Sequence, residues 1–181
     1  MGMRSLVLGG ARSGKSAHAE GLVGADSAVT YVATARRIAG DGEWDARIAE
    51  HVARRPDSWT TVEAPDAESL REALREAPAG AEVLVDDLAT WLTGVLDDAG
   101  AWERDPAALE VVAAERERLV AAAAGCAGRL VLVSAEVGLG VVPSTRSGRL
   151  FRDELGSLNA RLADVCDEVL LLVAGCPLRL R

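Results

Sequence analysis

The segment Gly9-Gly10-Ala11-Arg12-Ser13-Gly14-Lys15-Ser16 constrains this chain more than any other part of it. An aliphatic run precedes it and a helical pattern follows it, so it must join a strand to a helix through a tight loop. Its spacing is G-x-x-x-x-G-K-[ST] in full. Each residue type has a physical reason. Gly9 and Gly14 let the backbone curl until successive N–H groups point inward at phosphate oxygens. The helix that follows adds the positive end of its dipole. Lys15 sets a compact positive charge against the β- and γ-phosphates, and Ser16 offers a hydroxyl to Mg²⁺. All eight residues are expected to contact a nucleotide, with Lys15 also catalytic. The bland alternative is a glycine-rich turn with no ligand, and the correct flanks weigh against it.

A magnesium ion at Ser16 calls for a carboxylate at the C-terminal edge of a neighbouring strand. Val83-Leu84-Val85-Asp86-Asp87 supplies one. Asp86 follows the apolar run directly and is preferred, with Asp87 the alternative. An aspartate here can instead simply cap the next helix. The expected metal ligands are therefore Ser16 and Asp86.

Aliphatic runs at residues 4–8, 28–33, 82–85, 129–134 and 168–173 read as buried parallel strands. Helical patterns lie between them at 15–23, 43–54, 66–76, 106–124 and 149–164, and Asp105 and Pro106 are placed to start the fourth. Strands alternating with helices predict an α/β fold, a mostly parallel central sheet flanked by helices, in a single domain spanning residues 1–181. Aromatics make up only 3% of the chain, so the core must be aliphatic.

The formal net charge is −8, which argues against nucleic acid or an anionic membrane as a partner. A phosphate ligand is still accessible, because a local cluster of donors decides that. No apolar stretch is long enough to span a bilayer, and the first residues lead straight into a strand rather than a signal peptide. Cys126, Cys166 and Cys176 form no C-x-x-C pair. They read as reduced, buried thiols of a cytoplasmic protein.

The chain has two histidines. His18, on the first helix, reads as a surface or packing residue. His51 has Arg47 at i−4 and Arg54 and Arg55 at i+3 and i+4, so a helix would crowd guanidinium groups around the imidazole. Such a face suits an anionic ligand, although a solvated charged face has the same spacing. Neutral imidazole is a good nucleophile near pH 7, and attack on phosphorus would give a phospho-histidine adduct that the arginines stabilise.

Beside the phosphate loop, further strings carry a resemblance. They are Tyr31-Val32-Ala33-Thr34-Ala35, Ala46-Arg47-Ile48 through His51, Arg55-Pro56 with Trp59 and Glu63, Val85-Asp86 with Leu88, and Trp91-Leu92. Later come Glu136-Val137-Gly138-Leu139-Gly140-Val141-Val142-Pro143, Phe151-Arg152-Asp153, Leu158-Asn159 and Asp167-Glu168-Val169. Nearly end to end, the chain resembles the bifunctional adenosylcobinamide kinase / adenosylcobinamide-phosphate guanylyltransferase family of cobalamin biosynthesis. The resemblance implies a RecA-like P-loop NTPase fold and two activities. One moves a phosphoryl group from ATP or GTP to adenosylcobinamide. The other moves GMP from GTP to the adenosylcobinamide phosphate through a guanylylated histidine. Carried over, His51 is the nucleophile. The phosphate loop, Ala33, Thr34, Ala35, Val52, Ala53, Arg54, Arg55, Glu63 and Asp86 contact the nucleotide. The resemblance also implies a homo-oligomer, a trimer being known in the family. Ala135 and Ala89 depart from its pattern, standing where Asn and Thr are expected.

Two other readings compete. A simple P-loop small-molecule kinase would transfer the γ-phosphate without covalent GMP. A GTP switch would carry an N-K-x-D guanine-reading motif, and the sequence has none.

Overall fold

The aliphatic runs pair side by side because each must bury both of its faces and satisfy its backbone groups against neighbours. The computed structural model describes residues 2–24, 28–36, 42, 49, 52 and 55–181. Among them, seven strands form one sheet: β1 (Arg4–Gly9), β2 (Val29–Ala33), β3 (Thr60–Glu63), β4 (Glu82–Asp86), β5 (Arg129–Ala135), β6 (Glu168–Val173) and β7 (Cys176–Arg179). Their order across the sheet is β3-β2-β4-β5-β1-β6-β7. All pairings are parallel except β6 with β7. Helices α1 (Lys15–Leu22), α2 (Ala67–Glu76), α3 (Leu88–Asp98), α4 (Pro106–Gly125) and α5 (Arg146–Val165) make the crossovers, with a 3-10 turn at Ala101–Glu103 after α3.

Alternation along the strands splits the core in two. Leu6, Leu8, Val32, Val83, Val85, Leu130 and Leu132 face α2 to α5. Val7, Tyr31, Leu84, Val131 and Val133 face the other way, where Ala19 and Val23 come from α1 and its end and Trp59 packs alongside. Only a period of two produces this division, so the continuous apolar runs are strands buried on both faces.

The helix starts follow local chemistry. Asp105 accepts a hydrogen bond from the Ala108 amide at 3.1 Å, and Pro106 takes the first turn, where its missing N–H costs nothing. Asp66 and Ser69 form a reciprocal capping pair for α2. Thr145 caps α5 three residues earlier than the sequence pattern suggests. Arg71 of α2 reaches Glu115 of α4, tying the two helices together.

Three elements went unanticipated in the sequence. The strand β3 has one half-buried residue among exposed ones, so it lacks the aliphatic signature. Helix α3 does have helical spacing, with Leu88, Trp91, Leu92 and Val95 buried and Thr90, Thr93 and Asp97 opposite them, but two of those three outer residues are weakly polar threonines, so the outer face is faint in the sequence. The strand β7 is exposed throughout and contains Pro177, which is tolerated because it lies on the sheet edge. Cys126 and Cys166 are buried free thiols as expected, but Cys176 is exposed on β7. The expected helix over residues 43–54 lies mostly outside the described residues. Among the described residues no helix is long and apolar enough to cross a membrane.

At the C-terminal edge of β5 a buried amide fixes the strand end. Asn159 of α5 accepts from Ser134 Oγ at 2.6 Å and donates to the Ala135 carbonyl at 3.0 Å. Replacing Asn159 with Ala strands both partners away from water, and urea denaturation should show a loss of about 1–3 kcal/mol. A loss within experimental error would show that water takes over the amide's bonds.

Candidate active site

The phosphate loop grows directly out of β1. That strand is paired along its length with β5 on one side and β6 on the other, so its last residue is held from both directions. Gly9 pairs in register with Ala135 and with Leu172. The Gly9 carbonyl also accepts from the Glu136 amide at 3.0 Å. A side chain on Gly9 would meet Ser13 Oγ at 2.3 Å and the Leu172 carbonyl oxygen at 3.1 Å, so only glycine fits. Gly14 has φ +88°, and Arg12 shares the left-handed region at φ 56°. These two reversals curl the backbone before α1 begins at Lys15.

A second device steadies the loop. Between β6 and β7 the turn at Ala174 and Gly175 also has positive φ values, 51° and 79°. The Gly175 amide donates to the Ser13 carbonyl at 2.9 Å. The end of the sheet's only antiparallel pair among the described residues thus touches the phosphate loop. Ser13 is buried, and its hydroxyl finds no partner within the protein. Ala11, Arg12 and Gly14 are exposed, while Gly10, Lys15 and Ser16 are half-buried, leaving the loop open to a ligand.

The strand β5 lies between β1 and β4, so Asp86 at the end of β4 sits across one strand from Gly9. Ser16 Oγ donates to Asp86 Oδ1 at 3.3 Å, and the Tyr31 hydroxyl donates to Asp86 Oδ2 at 2.8 Å. Asp87 does something different. It caps α3, accepting from the Thr90 amide and hydroxyl, each at 2.8 Å. Of the two aspartates, Asp86 is therefore the one brought to the phosphate loop. The Asp86–Asp87 peptide bond is cis. A hydroxyl and a carboxylate oxygen side by side are hard oxygen donors, and Mg²⁺ takes few protein ligands, completing its shell with water and phosphate. The pair fits that ion. No cluster of three or more His, Cys, Asp or Glu side chains suited to a different metal occurs among the described residues.

Thr34 lies just past β2. It is buried, and its hydroxyl donates to the Asp87 carbonyl at 2.6 Å, so it braces the end of β4. Ala33 pairs in register with both Asp86 and Glu63, and Ala35 is half-buried. Glu63 is exposed at the end of β3, and Val52 is exposed. Arg55 lies with its guanidinium carbon 3.5 Å from the centre of the Tyr31 ring and donates to Thr61 Oγ1 at 2.9 Å. Tyr31 also stacks on Trp59, the ring centres 6.3 Å apart. His51, Arg47, Ala53 and Arg54 lie outside the described residues. The half-buried His18 leaves its Nε2 without a protein partner, on α1.

Sequence reasoning on the residues alone gave Tyr31 no role. A single tyrosine inside an apolar strand looks like core, and only its spatial proximity to Asp86 distinguishes it. Gly175 was equally invisible, because a turn residue far along the chain carries no local sign of touching Ser13. The two departures from the expected pattern, Ala135 and Ala89, both pack against the helix-covered core.

Over residues 5–180 the sequence matches the family described as cobinamide kinase / cobinamide phosphate guanyltransferase. It is 48% identical to the bifunctional adenosylcobalamin biosynthesis protein CobP of Pseudomonas aeruginosa, covering 99% of this chain and 98% of that one. It is 40% identical to the proteins named CobU of Escherichia coli and Salmonella typhimurium, covering 99% of this chain and 100% of each relative.

The Tyr31 phenol is pushed far above its usual range, first by burial and then by the Asp86 carboxylate beside it. The folded state keeps this proton where the unfolded chain, with an ordinary value of 10.0, releases it. Its contribution to stability is whole below about pH 10 and declines as the pH rises beyond it. Tyr31 is the chain's single tyrosine, so ultraviolet titration reads it alone. Phenolate absorbance should be missing from the native protein at pH 11 and appear on unfolding, by the ordinary tyrosine value of about 10. Full phenolate absorbance in the native state would disprove the buried hydrogen bond to Asp86.

Proposed function

Because the chain belongs to the cobinamide kinase / cobinamide phosphate guanyltransferase family, we propose that residues 9–16 hold the triphosphate for two transfers, one direct and one through His51. The observation that carries this reading is the meeting of Ser16 and Asp86 beside the phosphate loop. In the first transfer, the adenosylcobinamide hydroxyl attacks the γ-phosphorus of ATP or GTP. A new P–O bond forms, the bridge to the β-phosphate breaks, and the nucleoside diphosphate leaves while the hydroxyl proton passes to solvent. The loop amides and Lys15 hold the phosphates in line and meet the charge that builds on the bridging and terminal oxygens.

In the second transfer, a nitrogen of neutral His51 attacks the α-phosphorus of GTP. A P–N bond forms and pyrophosphate leaves. The phosphate made in the first transfer then attacks the same phosphorus, the P–N bond breaks, and adenosyl-GDP-cobinamide results. Dividing the transfer at a covalent adduct replaces one difficult displacement with two easier ones. The spacing of Arg47, Arg54 and Arg55 around His51 suits the phosphoryl oxygens of that adduct. Ala33, Thr34, Ala35, Val52, Ala53 and Glu63 complete the nucleotide's surroundings in this reading.

Ser16 and Asp86 would hold Mg²⁺, which when bound neutralises charge on the β- and γ-phosphates. The reading includes assembly as a homo-oligomer, a trimer, and residence in the cytoplasm, where ATP and GTP are supplied. The buried free thiols of Cys126 and Cys166 accord with a reducing compartment.

Incubation with α-labelled GTP should leave radiolabel on the protein that survives alkali and is lost in acid, as a phosphoramidate is. His51→Ala should abolish the label while keeping γ-phosphate transfer. Equal labelling of His51→Ala and wild type would remove His51 as nucleophile, and label-free wild type would leave a kinase alone. Chelating divalent cations with EDTA should stop both transfers, and added MgCl₂ should restore them. Undiminished turnover in EDTA would overturn the magnesium assignment.

A further inference from the structure

Tyr31 joins parts of the site that the chain brings together from far apart. Its hydroxyl donates to Asp86 Oδ2 at 2.8 Å, and the other oxygen of that carboxylate accepts from Ser16 at 3.3 Å. The face of its ring takes the Arg55 guanidinium, whose carbon is 3.5 Å from the ring centre. Arg55 follows His51 by four residues. From Ser16 to Arg55 the contacts are therefore continuous, and each passes through either Asp86 or Tyr31.

We propose that Tyr31 is a positioning residue that serves both halves of the site: its hydroxyl fixes the rotamer of Asp86 toward Ser16, and its ring seats Arg55. Two observations carry this beyond ordinary packing. The first is economy of bonding. Asp86 Oδ2 accepts from Tyr31 while Oδ1 accepts from Ser16, so the phenol fixes which carboxylate oxygen faces the phosphate loop. A carboxylate held this way need not be ordered when a cation arrives, so the entropy of fixing its side chain has already been met in folding. The second is the state of the ring. Tyr31 is almost wholly buried, stacked on Trp59 and pinned within β2. It cannot turn to follow Arg55, so the guanidinium is held by the ring rather than the reverse. Cation–π attraction strengthens when the cation is shielded from water, and Arg55 is half-buried with its Nε out of solvent.

The inference rests on Ser16 and Asp86 as metal ligands, and its test separates the two. The probe is Mn²⁺, followed by electron paramagnetic resonance in the presence of a non-hydrolysable GTP analogue. Analogue affinity without metal is measured alongside by calorimetry. Tyr31→Phe keeps the ring and its stacking but removes the hydroxyl. It should weaken Mn²⁺ binding about tenfold, the usual effect of losing a group that orients a ligand, and leave the metal-free analogue affinity at the wild-type value. Tyr31→Leu removes the seat of Arg55 as well, and should lower metal-free affinity roughly fivefold. Asp86→Asn calibrates the metal site itself. If Asp86→Asn binds Mn²⁺ like wild type, the metal assignment fails. If Asp86→Asn is impaired and Tyr31→Phe is not, the positioning role of the hydroxyl is wrong while the metal site stands. Equal metal-free affinities in the Phe and Leu variants would overturn the ring's role toward Arg55.

Discussion

A phosphate loop is only as well placed as the strand that delivers it. Here β1 is hydrogen-bonded on both sides, to β5 and to β6, through the residue that begins the loop. Every later feature of the site is measured from that fixed point. The strand β5 spaces β1 from β4 and so sets how far Asp86 stands from Ser16. The carbonyl of Gly9 is held by the first residue after β5. The sheet is thus a ruler, and the six parallel strands among the described residues all deliver their C-terminal ends to the same edge. A parallel sheet needs crossover helices, and here α2 to α5 bury one of its two faces. The face that carries Tyr31 receives the remaining crossover helix, α1, so Tyr31 shares a core with the phosphate loop's own helix.

The acidic balance of the chain and its affinity for phosphates are compatible because they act on different scales. The overall field of a protein at net charge −8 repels anions at a distance. Within a few ångströms, aligned amides and one lysine dominate, since fixed dipoles and charges act in a lower dielectric there. Many of the surplus charges are engaged elsewhere. Arg36 is bound to Asp98 at 2.5 and 2.8 Å, Arg116 to Glu154 at 2.8 Å and Arg161 to Glu117 at 2.7 Å. These pairs hold helices together or dress the surface, and exposed ones contribute little to stability.

What the sequence displayed depended on whether the signal was local. The phosphate loop is eight consecutive residues, and each one has a reason that can be read without knowing its neighbours in space. The strands β1, β4, β5 and β6 were visible because burial on both faces demands an unbroken aliphatic run. The strand β3 hid because its residues are exposed, and α3 hid because threonines rather than charges fill much of its outer face. At the site, the sequence already favours Asp86 over Asp87, because it follows the apolar run directly. Their separation into a carboxylate beside Ser16 and a helix cap comes from which one ends the strand and which one begins the helix. Tyr31 was hidden for the opposite reason: it obeys the pattern of a core strand so well that its hydroxyl attracts no notice. The cluster around His51 was legible only as a spacing, and of it only Arg55 lies among the described residues.

The hydrogen bond from Gly175 to Ser13 also has a bearing on the order in which the molecule is made. A ribosome makes the phosphate loop before β5 and α5, while β6 and its turn emerge after them. Until then β1 lacks one of its two flanking strands and the loop lacks its brace. The nascent chain therefore carries the whole loop sequence before it has the contacts that flank and brace the loop. The brace on the phosphate loop arrives only with the turn that follows β6, after the rest of the parallel sheet has been made.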